Sequence, residues 1–219
     1  MGASYRAGAA DSRRRRVKTK TQSLIDIEDV KRAATAIRGR VRRTNLVESP
    51  AFSELTGGRV FLKLENRQIT GSFKDRGAAN RMAHLTAEQR AQGVIALSAG
   101  NHAQSVAYVA QTMGVPATIV MPATTPFFKV RRTEGFGAEA ILHGDTLTEA
   151  MDRAYALEKE RNLTFIHPYD DALVIAGQGT VAVALERADQ CGRPRDDRGR
   201  HCGQDDRRAA AASRARIRR

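Results

Sequence analysis

The chain has 219 residues, of which 41% are hydrophobic, and a formal net charge of +13 at pH 7. This length allows one large domain or two small ones, and no apolar run approaches the roughly 18 residues of a membrane span. The two cysteines, Cys191 and Cys202, lie near the C-terminus, and no apolar stretch follows Arg13–Arg16, so neither a disulfide framework nor a secretory signal is indicated. We expect a cytoplasmic protein with no membrane partner.

The positive charge is concentrated at the two ends of the chain. Residues 1–22 carry seven Lys or Arg against one Asp, residues 187–219 carry eleven Arg against five Asp, and residues 23–186 have a net charge of only +1. In 187–219, Ile217 is the only large apolar side chain, too little for a core. We predict a disordered basic extension over 1–22 and a disordered Arg-rich tail over 187–219. A transit or nucleic-acid-binding role for Arg13–Arg16 is the alternative.

The first predicted helix spans 24–38. Ile27, Val30 and Ile37 recur at helical spacing, and acidic residues in the first turn favour the helix dipole. A strand is predicted at Val60–Leu64, and it leads to a turn followed by a helix from Lys74 to Leu85.

From residue 93 the sequence alternates between strand and helix patterns with short connections. We predict strands near 94–98, 117–121, 139–143 and 164–166, and helices near 101–114, 126–135, 147–162 and 171–186. Such alternation gives parallel strands joined by right-handed crossovers, in an open α/β layer that binds ligands at the carboxyl ends of its strands.

The octapeptide Gly71–Ala78, GSFKDRGA, places Lys74 on a glycine-delimited turn at the start of a predicted helix. The pKa of a lysine falls readily on desolvation, and a neutral amine condenses with a carbonyl group to form a Schiff base. A solvated loop lysine accounts equally well for the octapeptide alone.

A second motif, SAGNHAQ at Ser98–Gln104, follows the apolar run Val94–Leu97 and precedes a helical pattern. Small residues at such a turn let the backbone N–H groups of a helix start approach an anion. The motif therefore suits a carboxylate or a phosphate.

Together, the two motifs resemble the cofactor lysine and the asparagine loop of the fold-type II pyridoxal-phosphate enzymes, and most closely those of the threonine dehydratases (threonine ammonia-lyases). The resemblance runs from about Ile25 to about Ala182. Its other landmarks are FLKLEN at 61–66, Met121 and Pro122 with Pro126 and Lys129, GAE at 137–139, HPYDD at 167–171 and GQGT at 177–180.

The resemblance implies an α/β fold of the tryptophan synthase beta-like kind, with an open parallel-sheet small domain inserted in a larger domain. By this resemblance, residues 93–168 form the small domain, and residues 23–92 and 169–186 belong to an incomplete large domain. The cofactor, pyridoxal 5'-phosphate, would lie in the cleft between the two domains.

The resemblance also implies roles for individual residues. Lys74 would bind the cofactor covalently and, once freed by the substrate amine, would remove the Cα proton. Asn101 would hydrogen-bond the 3-oxygen of the cofactor ring, and Phe73 would pack against that ring. The substrate carboxylate would be bound by a turn that contains Ser98, Ala99, Gly100 and His102. The implied reaction converts L-threonine or L-serine to 2-oxobutanoate or pyruvate and ammonia, in a family whose members are homo-oligomers.

Serine racemase and serine dehydratase are the alternatives within the family. Serine racemases carry a second serine where this chain has Ala99, and the hydroxyl of that serine acts as acid or base on the opposite face of the substrate. Because Ala99 has no hydroxyl, the sequence favours a dehydratase. The choice between threonine and serine stays open, as does that between a biosynthetic and a degradative role.

Several polar residues near these motifs have structural interpretations. We interpret Asp75 as a solvated charge at a helix start, Arg76 as structural, and His102 as structural or solvent-facing rather than an acid or base. His143 and His167 have no partners at metal-ligand spacing, so we predict no metal site.

The resemblance ends between about Ala182 and Asp189. Family members continue with a run of glycines that cradles the cofactor phosphate and a polar residue facing the pyridine nitrogen, and neither follows here. The Arg-rich continuation looks like translation in a wrong reading frame. We therefore expect a truncated, impaired enzyme that is poorly soluble and lacks measurable dehydratase activity. The alternative is a non-catalytic basic fragment that binds nucleic acid or acidic partners, and charge alone supports it.

Overall fold

The computed structural model describes residues 25–189, and for 184–189 it describes the backbone alone. The predicted extension over 1–22 lies outside the described residues, as does the predicted tail from residue 190 onward. Residues 187–189, placed in that tail by the sequence, continue the last helix. No helix between residues 25 and 189 has the length and apolar character needed to cross a membrane.

The helices are α1 (Ile27–Ala36), α2 (Pro50–Thr56), α3 (Lys74–Ala83), α4 (Ala87–Gln92), α5 (Asn101–Met113), α6 (Phe127–Glu134), α7 (Leu147–Arg161) and α8 (Ala172–Asp189). The strands are β1 (Leu46–Glu48), β2 (Phe61–Lys63), β3 (Val94–Leu97), β4 (Ala117–Met121), β5 (Glu139–Leu142) and β6 (Thr164–Phe165). Every predicted element is present within a few residues of its predicted bounds. The sequence analysis missed α2, α4, β1 and the 3-10 turn Glu65–Arg67, each of which has seven residues or fewer.

Four strands form one parallel sheet in the order β5-β4-β3-β6. The antiparallel pair β1-β2 forms a separate two-stranded sheet. The predicted open parallel α/β architecture is confirmed. The parallel sheet lies within residues 94–165, inside the range proposed for a small domain, although the division of the chain into domains stays a prediction.

The parallel sheet is buried on both faces. On the central strand β3, Val94 and Ala96 belong to the apolar cluster that includes α3 and α5, whereas Ile95 and Leu97 belong to a second cluster with α7. Successive strand residues point to opposite faces, so each side chain of β3 lies in one of two helix layers. This packing fixes the position of the carboxyl end of β3, where α5 begins.

Helix α3 lies between α5 and α8 and is buried along almost its whole length. Its first residue is Lys74, and the first residue of α5 is Asn101. The fold therefore places the starts of two packed helices at the two motifs that the sequence singled out.

Candidate active site

The lysine turn is shaped by local backbone geometry. Gly71 has a φ of +83°, a left-handed conformation that favours glycine, and its N–H donates to the carbonyl of Gln68. Phe73 is the N-cap residue of α3, so Lys74 is the first residue with helical geometry. The lysine is consequently held by a helix on one side and a tight turn on the other.

The amine of Lys74 is half-buried and donates a hydrogen bond of 2.7 Å to the carbonyl oxygen of Pro168. Burial lowers the pKa of this amine below the usual lysine value because desolvation penalises the charged form. The Nζ atom lies 5.5 Å from the ring centroid of Phe73, whose side chain is exposed. The amine is thus closer to its neutral, nucleophilic form than a lysine in water.

The second motif forms the connection between β3 and α5. Ser98, Ala99 and Gly100 are half-buried, and the Ser98 hydroxyl accepts a hydrogen bond of 3.1 Å from the N–H of Gly100. No side chain caps the start of α5. The first N–H groups of a helix lack intrahelical acceptors, so this end is suited to binding an anion.

Two side chains of the motif point in different directions. Asn101 is exposed, and no hydrogen bond of its side chain occurs within residues 25–189. His102 is buried, and its Nε2 atom lies 2.9 Å from the carbonyl oxygen of Ile166. Burial lowers the pKa of His102 to about 4, although the hydrogen bond to Ile166 acts in the opposite direction. His102 is therefore a neutral, buried histidine near pH 7 and not a solvent-facing one.

The segment that follows β6 joins the two motifs. The carbonyl of Pro168 accepts from Lys74, and two residues earlier the carbonyl of Ile166 contacts His102. Since β6 pairs with β3 in the parallel sheet, this segment lies at the same edge as Ser98. Three loops therefore converge where open α/β sheets bind ligands.

A buried ion pair supports the lysine turn. Arg76 contacts Glu65 through two hydrogen bonds of 2.8 and 2.9 Å, and both side chains are largely buried. Burial by itself raises the pKa of Glu65, but the bonds from Arg76 and Thr44 outweigh it, so the net shift is downward. Arg76 also donates to Thr180 on α8. The structural interpretation of Arg76 agrees with these contacts.

The interpretation of Asp75 as a solvated charge is wrong. Its side chain is fully buried and accepts hydrogen bonds from the N–H and hydroxyl of Thr70 and from the hydroxyl of Ser105. A carboxylate at a helix start is ordinarily exposed, which is why the sequence suggested solvent. Thr70 and Ser105 carried no motif signal, because their 35-residue separation hides the contact. Within residues 25–189, no group of three or more His, Cys, Asp or Glu has a metal-binding arrangement.

Residues 37–197 match the family model described as "Pyridoxal-phosphate dependent enzyme". The chain is 48% identical over 162 residues to the L-threonine ammonia-lyase of Thermotoga maritima, covering 74% of this chain but only 40% of that protein.

Two solved structures support the same relationship. A threonine deaminase from T.th. is 40% identical with a TM-score of 0.71, covering 78% of this chain and 54% of its own. Maize serine racemase is 33% identical with a TM-score of 0.74, covering 77% and 51%. The chain spans about half the length of the proteins it matches. Because the family model covers most of this chain and both folds superpose on it, the chain belongs to the fold-type II group of the pyridoxal-phosphate dependent enzymes.

Proposed function

We propose that this protein is an ammonia-lyase that dehydrates and deaminates L-threonine, with L-serine as the alternative substrate. The observation that carries the proposal is the half-buried amine of Lys74, which lies at the edge of the sheet where the Ser98–His102 turn begins α5. The names of an ammonia-lyase and a deaminase among the relatives support the choice of reaction.

The family cofactor is pyridoxal phosphate, and the residues present fit it. Lys74 offers an amine whose pKa burial lowers, as a group that condenses with an aldehyde requires. Asn101 offers an exposed amide without a side-chain partner among the described residues, which suits a hydrogen bond to a ring substituent. Phe73 lies beside the amine and would contact the ring. We assign no phosphate-binding residue within residues 25–189.

The bound cofactor supplies an electron sink for the charge that develops at the substrate Cα. The N–H groups at the start of α5, beside Ser98, Ala99 and Gly100, would bind the substrate carboxylate and so fix the orientation of the Cα–H bond. Lys74 would accept the Cα proton at Nζ. His102 is neutral near pH 7 and holds the backbone at Ile166, so we give its side chain no proton-transfer role.

Ala99 bears on the choice between elimination and racemisation. Racemisation needs a proton donor on the face of the substrate opposite Lys74. The residue at position 99 has no hydroxyl, so proton transfer would be confined to the Lys74 face, which favours loss of the β-hydroxyl. We also propose a cytoplasmic location and a homo-oligomer.

Borohydride trapping of pyridoxal phosphate tests the cofactor role. We expect the trapped label on the peptide that contains Lys74, and its loss in Lys74→Arg. Lys63→Arg is the matched control because Lys63 is another half-buried lysine whose pKa burial lowers. A label on another lysine, or retention in Lys74→Arg, would contradict the proposal.

Formation of 2-oxobutanoate from L-threonine tests the reaction in the same preparations. Threonine-dependent product that disappears in Lys74→Arg supports the ammonia-lyase. Turnover near that of the relatives would also refute the expectation of an impaired chain. Interconversion of serine enantiomers without keto-acid product would favour a racemase instead.

A further inference from the structure

Asp75 is a fully buried carboxylate held by three hydrogen bonds. Its Oδ2 atom accepts from the N–H of Thr70 at 3.1 Å, and its Oδ1 atom accepts from the hydroxyls of Thr70 and Ser105, the latter at 2.6 Å. The two hydroxyls are 3.1 Å apart, so all three side chains form one network. A buried charge is tolerated only when such bonds satisfy it, so the arrangement constrains all three residues.

The network joins the two motifs of the candidate site. Asp75 follows Lys74 directly, and Thr70 precedes the left-handed Gly71. Ser105 lies one helical turn after Asn101 on α5. A displacement of the turn relative to α5 would therefore break bonds to a buried charge.

Two further features favour this geometry. Asp75 is the second residue of α3, where the partial positive charge of the helix start stabilises a carboxylate. Arg132 on α6 donates to the carbonyl oxygen of Thr70 at 3.1 Å, which attaches the same turn to a second helix beside the sheet.

We infer that Asp75 is a positioning residue that, through Thr70 and Ser105, fixes the Lys74 turn to α5 and so sets the position of the amine relative to the asparagine loop. The inference rests on the proposed role of Lys74 as the reactive amine. It assigns to Asp75 no contact with cofactor or substrate.

The test is the pH profile of reductive methylation of each lysine, with formaldehyde and borohydride as reagents and peptide mass spectrometry as the readout. The full chain is used, and no cofactor or substrate is present. Failure of the proposed ammonia-lyase activity therefore leaves this measurement decisive. The titratable groups around Lys74 are Asp75 on α3, His102 on α5 and His167 after β6.

Ser105→Ala and Thr70→Val are the informative variants because each removes a hydroxyl and changes none of these charges. Asp75→Asn is less useful, since losing the charge would itself lower the pKa of Lys74. If the network positions the turn, either variant lets water reach Lys74, and its labelling midpoint rises by about half a pH unit or more.

Thr133→Val is the matched control. Its hydroxyl is equally buried but bonds to the carbonyl of Lys129 within α6, so the Lys74 midpoint should not change. Lys63, a half-buried lysine on β2, is the reference within each sample. An unchanged Lys74 midpoint in a folded variant overturns the inference, and so does a parallel shift at Lys63, which would indicate general loosening. If one variant fails to fold, the other decides.

Discussion

Gly177 on α8 and Gly77 on α3 meet where the two helices cross, and a Cβ atom at position 177 would lie 2.7 Å from the Cα of Gly77. The same atom would lie 2.6 Å from the carbonyl oxygen of Arg76. Both neighbours are backbone atoms, which cannot swing away as the end of a side chain can. The close approach of the two helices therefore depends on the absence of a side chain at this crossing.

We expect Gly177→Ala to lower the free energy of unfolding. Alanine gains about 1 kcal/mol of helix propensity over glycine, but overpacking against backbone costs about 1–3 kcal/mol or more, and the clash should dominate. Urea unfolding monitored by circular dichroism measures the difference. Gly58→Ala is the control, since the nearest atom to its Cβ would be 4.0 Å away. Equal stability of Gly177→Ala and the parent chain would contradict the expected steric clash.

Glu65→Gln should destabilise the protein strongly. The change leaves Arg76 as a buried charge without its carboxylate, and breaking a buried pair from one side costs about 3–5 kcal/mol. The exposed pair of Arg59 with Glu48 provides the comparison, and Glu48→Gln should leave the unfolding midpoint unchanged. Similar effects of the two substitutions in denaturant titrations would show that burial of the Glu65 pair adds nothing.

Acid should destabilise the folded chain through His102. Its folded pKa of about 4 lies below the ordinary value of 6.5, so between these values the unfolded state binds a proton that the folded state does not. Stability is therefore lost as pH falls through that window, by a total on the order of 3 kcal/mol. Urea midpoints measured across this range should fall less steeply in His102→Gln, whose amide can still donate to Ile166.

The exposed His143 supplies the control for that measurement. His143→Gln removes an imidazole without disturbing a buried contact, so the pH dependence of the parent chain should persist. If His102→Gln keeps the full acid dependence, the histidine is not the group responsible.

Asn101→Ala should separate cofactor binding from stability. The side chain is exposed and without a hydrogen-bond partner among the described residues, so the unfolding midpoint should change little. Loss of one hydrogen bond to the ring should weaken the affinity for pyridoxal phosphate about tenfold. Absorbance titration with the cofactor measures this, and an unchanged affinity would remove Asn101 from the proposed site.

The sequence predicted those parts of the fold that carry a repeated local pattern. Apolar runs at β3 and β4 and helical periodicity in α5 and α7 were sufficient because burial on both faces leaves a continuous signal along the chain. The short elements α2 and β1 were missed, since seven and three residues are too few to show a period.

The sequence predicted less of the site, because its contacts are not local. Lys74 and Asn101 were identified from motifs, whereas the bond from Lys74 to Pro168 spans 94 residues and ends on a backbone atom. The burial of Asp75 had the same cause. A partner 30 residues away on another helix decides whether a helix-start carboxylate faces water, and nothing near Asp75 in the chain reports it.

The contacts at the end of β6 have a consequence for sequence variation. Lys74 and His102 both bond to main-chain oxygens there, at Pro168 and Ile166. Every amino acid carries such an oxygen, so these two interactions depend on the path of the backbone and not on which side chains occupy the segment. Residues 166–168 are therefore free to diverge, within the limits set by packing, while the amine and the imidazole keep the same acceptors.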